Sequence, residues 1–305
     1  MRIGIVGIGG VGGYFGGKLA KAFEKSCEHE IIFIARGEHL KAIKEKGLQL
    51  FTTEGNYIAR PKIATDNTDD AGIFDLAFFC TKSYSLESSA REFSACINKN
   101  TVVIPLLNGV NSAERIRFIL PQADVISGSV YIISHIEKPG VINQEGGVCR
   151  LTLGTDDSES VKKYSYILDV LLQAKINGVL TDKISEVLWT KYLLMCPIGS
   201  LTSATGKTYG GIWEDLILRK KARNMMLEVV AVAKAHHVNL TEEAVDKAME
   251  MIAGFGYNSK TSMQLDRENG RQTEIDSLTA YLCKAGKESG IPTPLHDEVY
   301  AQLIK

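Results

Sequence analysis

Six residues near the N-terminus, Gly7-Ile8-Gly9-Gly10-Val11-Gly12, have the spacing of a phosphate-binding glycine loop. In such a loop the first glycine permits a tight turn and the second allows a pyrophosphate to approach the backbone. The third allows the following helix to pack closely on the strand. The pyrophosphate then lies at the helix N-terminus, where unpaired N–H groups and the helix dipole favour an anion. The loop therefore predicts a dinucleotide site, against the alternative of a glycine-rich turn that binds nothing.

The residues after the second predicted strand indicate which nicotinamide cofactor is bound. An acidic residue at the tip of this strand binds the ribose 2′-hydroxyl of NAD. Here the strand ends Ile34-Ala35-Arg36-Gly37, and the guanidinium of Arg36 offers a fixed fork of donors suited to a phosphate. The sequence therefore favours NADP(H) over NAD(H). Two alternatives stay open: a solvated surface arginine, and NAD bound through Glu38.

Lys82 and Asn108 each follow a predicted apolar strand, Lys82 after 75–80 and Asn108 after 101–107. The carboxyl ends of strands in an open parallel sheet face the ligand crevice. We therefore expect Lys82 to lie beside the cofactor and the Asn108 amide to hold the nicotinamide or a second polar group. Either could instead be an ordinary turn residue, since Asn-Gly is a common turn dipeptide.

Lys191 lies in Trp189-Thr190-Lys191-Tyr192-Leu193-Leu194, among almost wholly apolar neighbours. Burial lowers the pKa of a lysine, and a lowered pKa suits proton donation near neutral pH. The same lysine could instead extend its amine to water. Glu274, in Thr273-Glu274-Ile275-Asp276, could be a site carboxylate or a first-turn helix acid. His236-His237 has no companion ligands, and no metal site is expected.

The overall composition excludes several classes of protein. Lys plus Arg number 35 and Asp plus Glu 36 in 305 residues, so the net charge is -1 and a general nucleic-acid binder is not expected. No apolar stretch reaches eighteen residues, so no membrane span is expected. The six cysteines form no C-x-x-C pair, and the apolar N-terminus lacks a basic leader. We therefore expect reduced thiols and a cytoplasmic protein.

The first half of the chain alternates strand-like and helix-like segments, which predicts a parallel sheet covered by helices on both faces. A hairpin joins 48–51 to 57–62. Two later strands, Asp124 to Ile133 and Gly147 to Leu153, are expected as antiparallel additions at an edge. The other predicted strands are Arg2 to Val6, Ile31 to Ala35, Asp75 to Cys80 and Thr101 to Leu107, and the helices are Gly13 to Lys25 and Leu86 to Ile97.

From about residue 182 the strand signals end. Helices are predicted over 184–203, 212–236, 241–252 and 274–289, with Thr241 as a helix cap, Pro292 and Pro294 before a last helix, and Met225-Met226 in the core. We therefore predict an α/β fold with an N-terminal Rossmann dinucleotide-binding domain, 1–180, and a C-terminal all-helical substrate domain, 181–305.

Taken in order along the chain, these segments resemble the ketopantoate reductase (2-dehydropantoate 2-reductase) family over essentially the whole length. The N-terminal features are shared with many dehydrogenases. The more specific segments are Trp189-Thr190-Lys191, Ser262-Met263 and Thr273-Glu274-Ile275-Asp276. The resemblance implies NADPH-dependent reduction of a 2-oxo acid, ketopantoate, to a 2-hydroxy acid in pantothenate biosynthesis, by a monomer or a homodimer.

The resemblance also assigns roles to residues. Lys191 matches the family's catalytic lysine, which protonates the carbonyl oxygen, and Glu274 matches the acidic residue that binds the substrate hydroxyl and the lysine. Asn108 is expected to position lysine, cofactor and substrate. Lys82 is expected to line the cofactor site, and Ser262 to touch the substrate carboxylate.

One departure from the family concerns the helix of Lys191. Asparagines usually stand four and eight residues after that lysine, and here the positions hold Met195 and Gly199. A spacing of four keeps them on the lysine's side of the helix. Two alternatives to ketopantoate reduction therefore stay open: reduction of another small 2-oxo acid, and NADP binding without catalysis.

Overall fold

The structure, a computed structural model that describes all 305 residues, divides into two compact units. Unit 1 comprises Met1–Leu107 and Asn111–Ile184. Unit 2 comprises Ser185–Lys305 together with the short segment Asn108–Val110, which the sequence placed in the first domain. None of the helices combines the length and the apolar character that crossing a membrane requires.

Unit 1 contains a six-stranded, wholly parallel sheet with the strand order β5-β2-β1-β6-β7-β8. Its strands are β1 (Arg2–Val6), β2 (Glu30–Ile34), β5 (Ile63–Thr65), β6 (Leu76–Phe79), β7 (Val102–Pro105) and β8 (Asp124–Val125). The central strands are apolar at consecutive positions because helices cover both faces. The predicted Rossmann-type sheet is confirmed, and β5 is a strand that the sequence reading missed.

A second, five-stranded sheet also belongs to unit 1, and the sequence did not predict it. It consists of β3 (Leu48–Thr52), β4 (Gly55–Ala59), β9 (Ser127–Lys138), β10 (Val141–Gly154) and β11 (Asn177–Thr181). The predicted hairpin is confirmed as β3–β4, and β9 pairs antiparallel with β10. The expectation of antiparallel edge additions was wrong in two respects. β8 joins the first sheet in parallel, and β10 binds β3 and β11 in parallel within the second sheet.

Helix α1 (Gly10–Ala22) packs against both sheets of unit 1, and its glycines make this possible. A Cβ atom on Gly17 would lie 2.6 Å from Leu50 of the second sheet, whereas one on Gly16 would lie 3.1 Å from Ile5 of the first. The other helices of this unit are α2 (Gly37–Lys46), α3 (Thr68–Ala71), α4 (Leu86–Glu92), α5 (Ser112–Ile119) and α6 (Ser165–Gln173).

Unit 2 is helical around its own apolar core, in which Met225 and Met226 are fully buried as predicted. The predicted helix over 212–236 is interrupted at Asp215, whose carboxylate accepts the N–H groups that open the next helix. Thr241 begins a helix, but its hydroxyl makes no capping bond. The helices are α7 (Ile184–Thr205), α8 (Tyr209–Glu214), α9 (Leu216–Ala235), α10 (Glu242–Gly254), α11 (Ser262–Glu268), α12 (Tyr281–Glu288) and α13 (Pro294–Leu303).

The segment that holds Glu274 differs from its prediction as a helix over 274–289. Glu274 lies in a bend, and a turn of π-helix spans Asp276–Ala280 before α12 begins. The N–H of Ala280 donates to the carbonyl of Ile275, which is the five-residue spacing of a π-helix. Such turns occur often at functional sites. Glu274 is therefore not an ordinary first-turn helix acid.

Candidate active site

Three of the predicted site residues meet in unit 2. The Lys191 ammonium donates to Oδ1 of Asn108 at 2.9 Å, and Nδ2 of Asn108 donates to a carboxylate oxygen of Glu274 at 3.1 Å. Asn108 lies three residues after the end of β7, Lys191 lies in α7, and Glu274 precedes the π-helical turn. The Asn108 amide thus connects the predicted proton donor, Lys191, with the predicted site carboxylate, Glu274.

Gly109 holds Asn108 in this position. Its φ of 101° is a backbone conformation that residues with a Cβ rarely adopt. A Cβ there would also lie 3.1 Å from the carbonyl oxygen of Ser277, in the π-helical turn. The Ser277 hydroxyl in turn donates to the carbonyl of Glu274 at 3.1 Å. The Asn-Gly pair is thus packed against the turn that follows the carboxylate.

The π-helical turn is also bonded to α7. The hydroxyl of Tyr192, the residue after the lysine, donates to the carbonyl of Leu278 at 2.5 Å. The hydroxyls of Ser200 and Thr279 lie 2.7 Å apart. Because these groups are buried, their hydrogen bonds are made in a low-dielectric setting and hold the two elements in register.

The electrostatics of Lys191 fit a proton donor. Burial desolvates its amine and lowers the pKa of Lys191 to about 8, while the nearby carboxylate of Glu274 acts in the opposite direction. The loss of solvation therefore outweighs the attraction of the carboxylate. The predicted lowering of this pKa is confirmed. A lysine with a pKa near 8 is mostly protonated at neutral pH and still gives up its proton readily.

The neighbours of Ser262 in the chain contact a later part of α7 than the turn that holds Lys191. Ser262 is the exposed first residue of α11, between Thr261 and Met263. The hydroxyl of Thr261 lies 2.8 Å from that of Thr202, and Met263 is the side chain nearest to Gly199. Ser262 thus belongs to the stretch of unit 2 that runs two to three helical turns beyond the lysine, and its role stays a prediction.

The glycine loop of unit 1 has the geometry of an anion cradle. Gly7 has a φ of 96°, and a Cβ on Gly12 would collide with the carbonyl oxygen of Gly7. Beside Gly9, by contrast, no atom of the protein lies within 4 Å of an added Cβ. Helix α1 begins within the loop, at Gly10, so the free N–H groups of its first turn adjoin the open space. These residues fit the pyrophosphate of a dinucleotide.

Two polar atoms near the strand ends of unit 1 are buried without a hydrogen-bond partner: the Thr81 hydroxyl and the Asn111 side-chain oxygen. Thr81 is also adjacent to the glycine loop, since a Cβ on Gly7 would lie 3.0 Å from it. Buried polar groups are rarely left unsatisfied, so such atoms mark positions where a ligand can bond. The sequence reading gave a role only to the neighbouring Lys82, which is exposed, and none to Thr81 or Asn111. Their position after strands β6 and β7 was the available signal.

Arg36 lies two residues after the end of β2, as predicted, and is the N-cap residue of α2. Its exposed guanidinium is paired with the carboxylate of Glu92, at the end of α4. Glu38, the residue through which NAD could bind instead, is exposed in the first turn of α2. A phosphate at Arg36 would compete with Glu92 for the same donors.

Comparison with known proteins gives matches along nearly the whole chain. The family model described as "Ketopantoate reductase PanE/ApbA" matches residues 3–157, and the model "Ketopantoate reductase PanE/ApbA C terminal" matches residues 183–305. A 2-dehydropantoate 2-reductase of Mesorhizobium japonicum is 28% identical, covering 99% of this chain and 96% of the relative. An uncharacterized oxidoreductase of Bacillus subtilis, YkpB, is 26% identical, covering 99% and 98%.

Solved structures agree with these matches. The crystal structure of a PanE/ApbA family ketopantoate reductase from Ralstonia eutropha is similar to this chain with a TM-score of 0.89 and 29% sequence identity, covering 100% of this chain and 97% of that one. A D-mandelate dehydrogenase, solved with NADH and anilino(oxo)acetate, has the same fold at a TM-score of 0.89 and 23% identity.

Proposed function

Because the chain belongs to the ketopantoate reductase family of oxidoreductases, we propose that it uses NADPH to reduce a small 2-oxo acid to a 2-hydroxy acid, with Lys191 as the proton donor. Relatives named 2-dehydropantoate 2-reductase support ketopantoate, which would be reduced to pantoate for pantothenate synthesis. Met195 and Gly199 on the lysine's face of α7 favour a second candidate, another small 2-oxo acid.

The observation that carries the proposal is the bonded series from Lys191 through Asn108 to Glu274. Reduction of a carbonyl builds negative charge on its oxygen, and a positioned ammonium both offsets that charge and supplies the proton. Asn108 orients the amine through its side-chain oxygen. Glu274, only 5% exposed, supplies a fixed negative charge for the ammonium and an acceptor for a substrate hydroxyl.

The residues of unit 1 would hold the cofactor. The glycine loop, Gly7 to Gly12, would take the pyrophosphate, Arg36 the 2′-phosphate, and Thr81 with Lys82 would line the adjoining strand end. The bound nicotinamide supplies a hydride to the substrate's carbonyl carbon. The Lys191 ammonium would offset the charge on the carbonyl oxygen, give its proton to that oxygen and become a neutral amine. Asn108 keeps that amine aligned until it regains a proton.

Steady-state oxidation of NADPH tests this function. The wild-type protein should oxidise NADPH in the presence of ketopantoate or of another member of a 2-oxo acid panel. The variant Lys191→Met keeps most of the side-chain volume and should lose at least about a thousandfold in kcat while it still binds NADPH. Lys183→Met, in the exposed turn before α7, is the matched control and should keep full activity.

A different outcome would identify a non-catalytic NADP-binding protein. Such a protein binds NADPH tightly, turns over no 2-oxo acid, and is unaffected by Lys191→Met.

The six cysteines are unpaired in the structure, which supports a reducing compartment such as the cytoplasm. Whether the enzyme acts as a monomer or a homodimer stays a prediction that sedimentation can test.

A further inference from the structure

We infer that Thr202 is a positioning residue for substrate binding, because its buried hydroxyl holds the chain segment that carries Ser262. This inference rests on the proposed function and on the role that the family resemblance gives to Ser262, which is contact with the substrate carboxylate. Thr202 is fully buried and lies about three helical turns beyond Lys191 in α7. It can therefore act on the substrate only through its neighbours.

The position of Ser262 is set by the residues on either side of it. Ser262 itself is exposed, so its own packing does not fix it. Thr261 and Met263 are both buried, and both contact α7. Thr261 does so through the hydroxyl of Thr202, at 2.8 Å, and Met263 is the side chain nearest to Gly199. A shift of Thr261 would therefore move Ser262 with it.

The hydrogen bonds at Thr202 form one directed series. The Thr202 hydroxyl has a single hydrogen, which it donates to the carbonyl of Ile198 at 2.8 Å. In the contact between the two threonine hydroxyls, Thr261 must therefore donate and Thr202 accept. Thr261 also accepts the N–H of Gln264 at 3.2 Å, as the N-cap residue of α11. The series thus runs from the first turn of α11 to the backbone of α7, and Thr202 joins the two helices.

Burial makes the bond between the two threonines difficult to replace. Thr202 has no exposed surface and Thr261 is 4% exposed, so water cannot take over as the acceptor. A second bond holds α11 farther along, since Nε2 of Gln264 donates to the carbonyl of Gly206 at 3.2 Å. Loss of the Thr202 hydroxyl should therefore shift the start of α11 without releasing the whole helix.

The bonds that place the proton-donor site are separate from this series. Tyr192 and Ser200 bond the π-helical turn that follows Glu274, and neither bonds Thr202 or Thr261. A change at Thr202 should therefore leave the reacting groups in place. A contact that is lost equally from the bound substrate and from the transition state raises KM and spares kcat. We expect Thr202 to affect KM for the 2-oxo acid in this way.

Two threonine variants test the inference by steady-state kinetics with NADPH and ketopantoate, or with whichever acid of the 2-oxo acid panel is turned over fastest. Thr202→Val keeps the side-chain shape but cannot accept from Thr261. KM for the acid should rise about tenfold, with kcat and NADPH affinity within about twofold of wild type. Thr202→Ser keeps the hydroxyl and should retain the wild-type KM. An unchanged KM in Thr202→Val, or a fall in kcat at constant KM, would overturn the inference.

Thr205→Val is the matched control on the same helix. Its hydroxyl also donates within α7, to the carbonyl of Leu201 at 2.7 Å, but the residue is exposed. KM should not change in this variant. A loss of stability alone would reduce the amount of active enzyme and hence the apparent kcat, whereas KM would stay the same. A rise in KM in Thr205→Val equal to that in Thr202→Val would overturn the inference.

A double variant shows whether Thr202 acts through Ser262. Ser262→Ala should itself raise KM, and Thr202→Val should add little in its presence, because the position of an absent hydroxyl no longer matters. Effects that multiply, or an unchanged KM in Ser262→Ala, would overturn the inference and leave the proposed function standing. A wild-type protein that turns over no 2-oxo acid would overturn both.

Discussion

Lys191 and Glu274 contact opposite ends of one amide, that of Asn108. The chemistry of the two partners fixes the orientation of this amide. An ammonium can only donate and an ionised carboxylate can only accept, so the oxygen of Asn108 must face the lysine and its NH₂ group the glutamate. The lysine thereby gains an acceptor that is not a charge. The carboxylate of Glu274 raises the pKa of Lys191, but by less than burial lowers it.

The pH dependence of the reaction should follow Lys191. Its folded-state pKa is lowered to about 8, so the ammonium that donates the proton is present below pH 8 and is lost as the pH rises through that value. We expect kcat/KM for reduction, which reports the free enzyme, to be level near pH 7 and to fall about tenfold per pH unit well above pH 8. Steady-state assays between pH 6 and 10 measure this. A profile that stays flat to pH 10 would contradict the assignment.

The reverse reaction provides the control for that profile. Oxidation of the 2-hydroxy acid requires the neutral amine, so its rate should rise with pH and level off above about pH 8.

Below pH 8 the desolvated ammonium of Lys191 also costs folding free energy, because the unfolded state holds the proton more tightly. Lys191→Met should therefore abolish both pH limbs without lowering the melting temperature.

Changes at Asn108 should separate orientation from charge. Asn108→Ala removes both bonds of the amide and should lower kcat by about ten- to a hundredfold, with a smaller effect on NADPH affinity. Asn108→Asp keeps the shape but places a carboxylate against the ammonium. An opposite charge at this distance favours the charged amine, so the alkaline limb of the pH profile should move above pH 8. An unmoved limb would mean that Lys191 does not set it.

The sequence predicted local features well and long-range pairings poorly. The loop Gly7 to Gly12, the strands beside it and the apolar setting of Lys191 follow from short patterns, and the structure contains all three. The second sheet was missed because β10 reaches β3 and β11 through backbone pairing, which leaves no mark on the periodicity of either strand. The bond from Asn108 to Glu274 spans 166 residues and was not predicted; the family resemblance suggested only that Glu274 binds Lys191 and that Asn108 positions the lysine.

Arg36 and Glu92 make cofactor preference testable in both directions. Arg36→Ala should weaken NADPH binding by about tenfold or more and NADH binding little, because a charged bond to the 2′-phosphate is lost. Glu92→Gln frees the guanidinium from its exposed ion pair, which is worth at most about 1 kcal/mol, so NADPH should bind up to about fivefold more tightly. Titration of nucleotide fluorescence measures both. Equal losses for the two nucleotides in Arg36→Ala would remove the arginine from the cofactor site.

Glu228 should stabilise unit 2 without taking part in the reaction. Its nearly buried carboxylate accepts the backbone N–H groups of Leu295 and His296, at 2.8 and 3.1 Å, at the start of α13, and contacts Nδ1 of His296 at 2.6 Å. His296 is fully buried, and burial lowers its pKa, so the ring is neutral at pH 7 and Nδ1 carries the donated hydrogen. Glu228→Gln replaces charge-assisted bonds by weaker ones, at a cost of about 2 kcal/mol.

In a chain of this size that cost corresponds to a fall of about 3 °C in melting temperature, measured by calorimetry at pH 7. Glu298→Gln, in α13 itself, is the matched control. Its carboxylate is exposed and pairs with Lys221 at 3.0 Å, so the melting temperature should move by less than about 1.5 °C. Wild-type stability should also decline as the pH falls below 6.5, because the unfolded histidine takes up a proton more readily than the buried one. If Glu228→Gln melts with the wild type, the carboxylate does not hold α13, and the histidine's burial alone must account for any acid sensitivity.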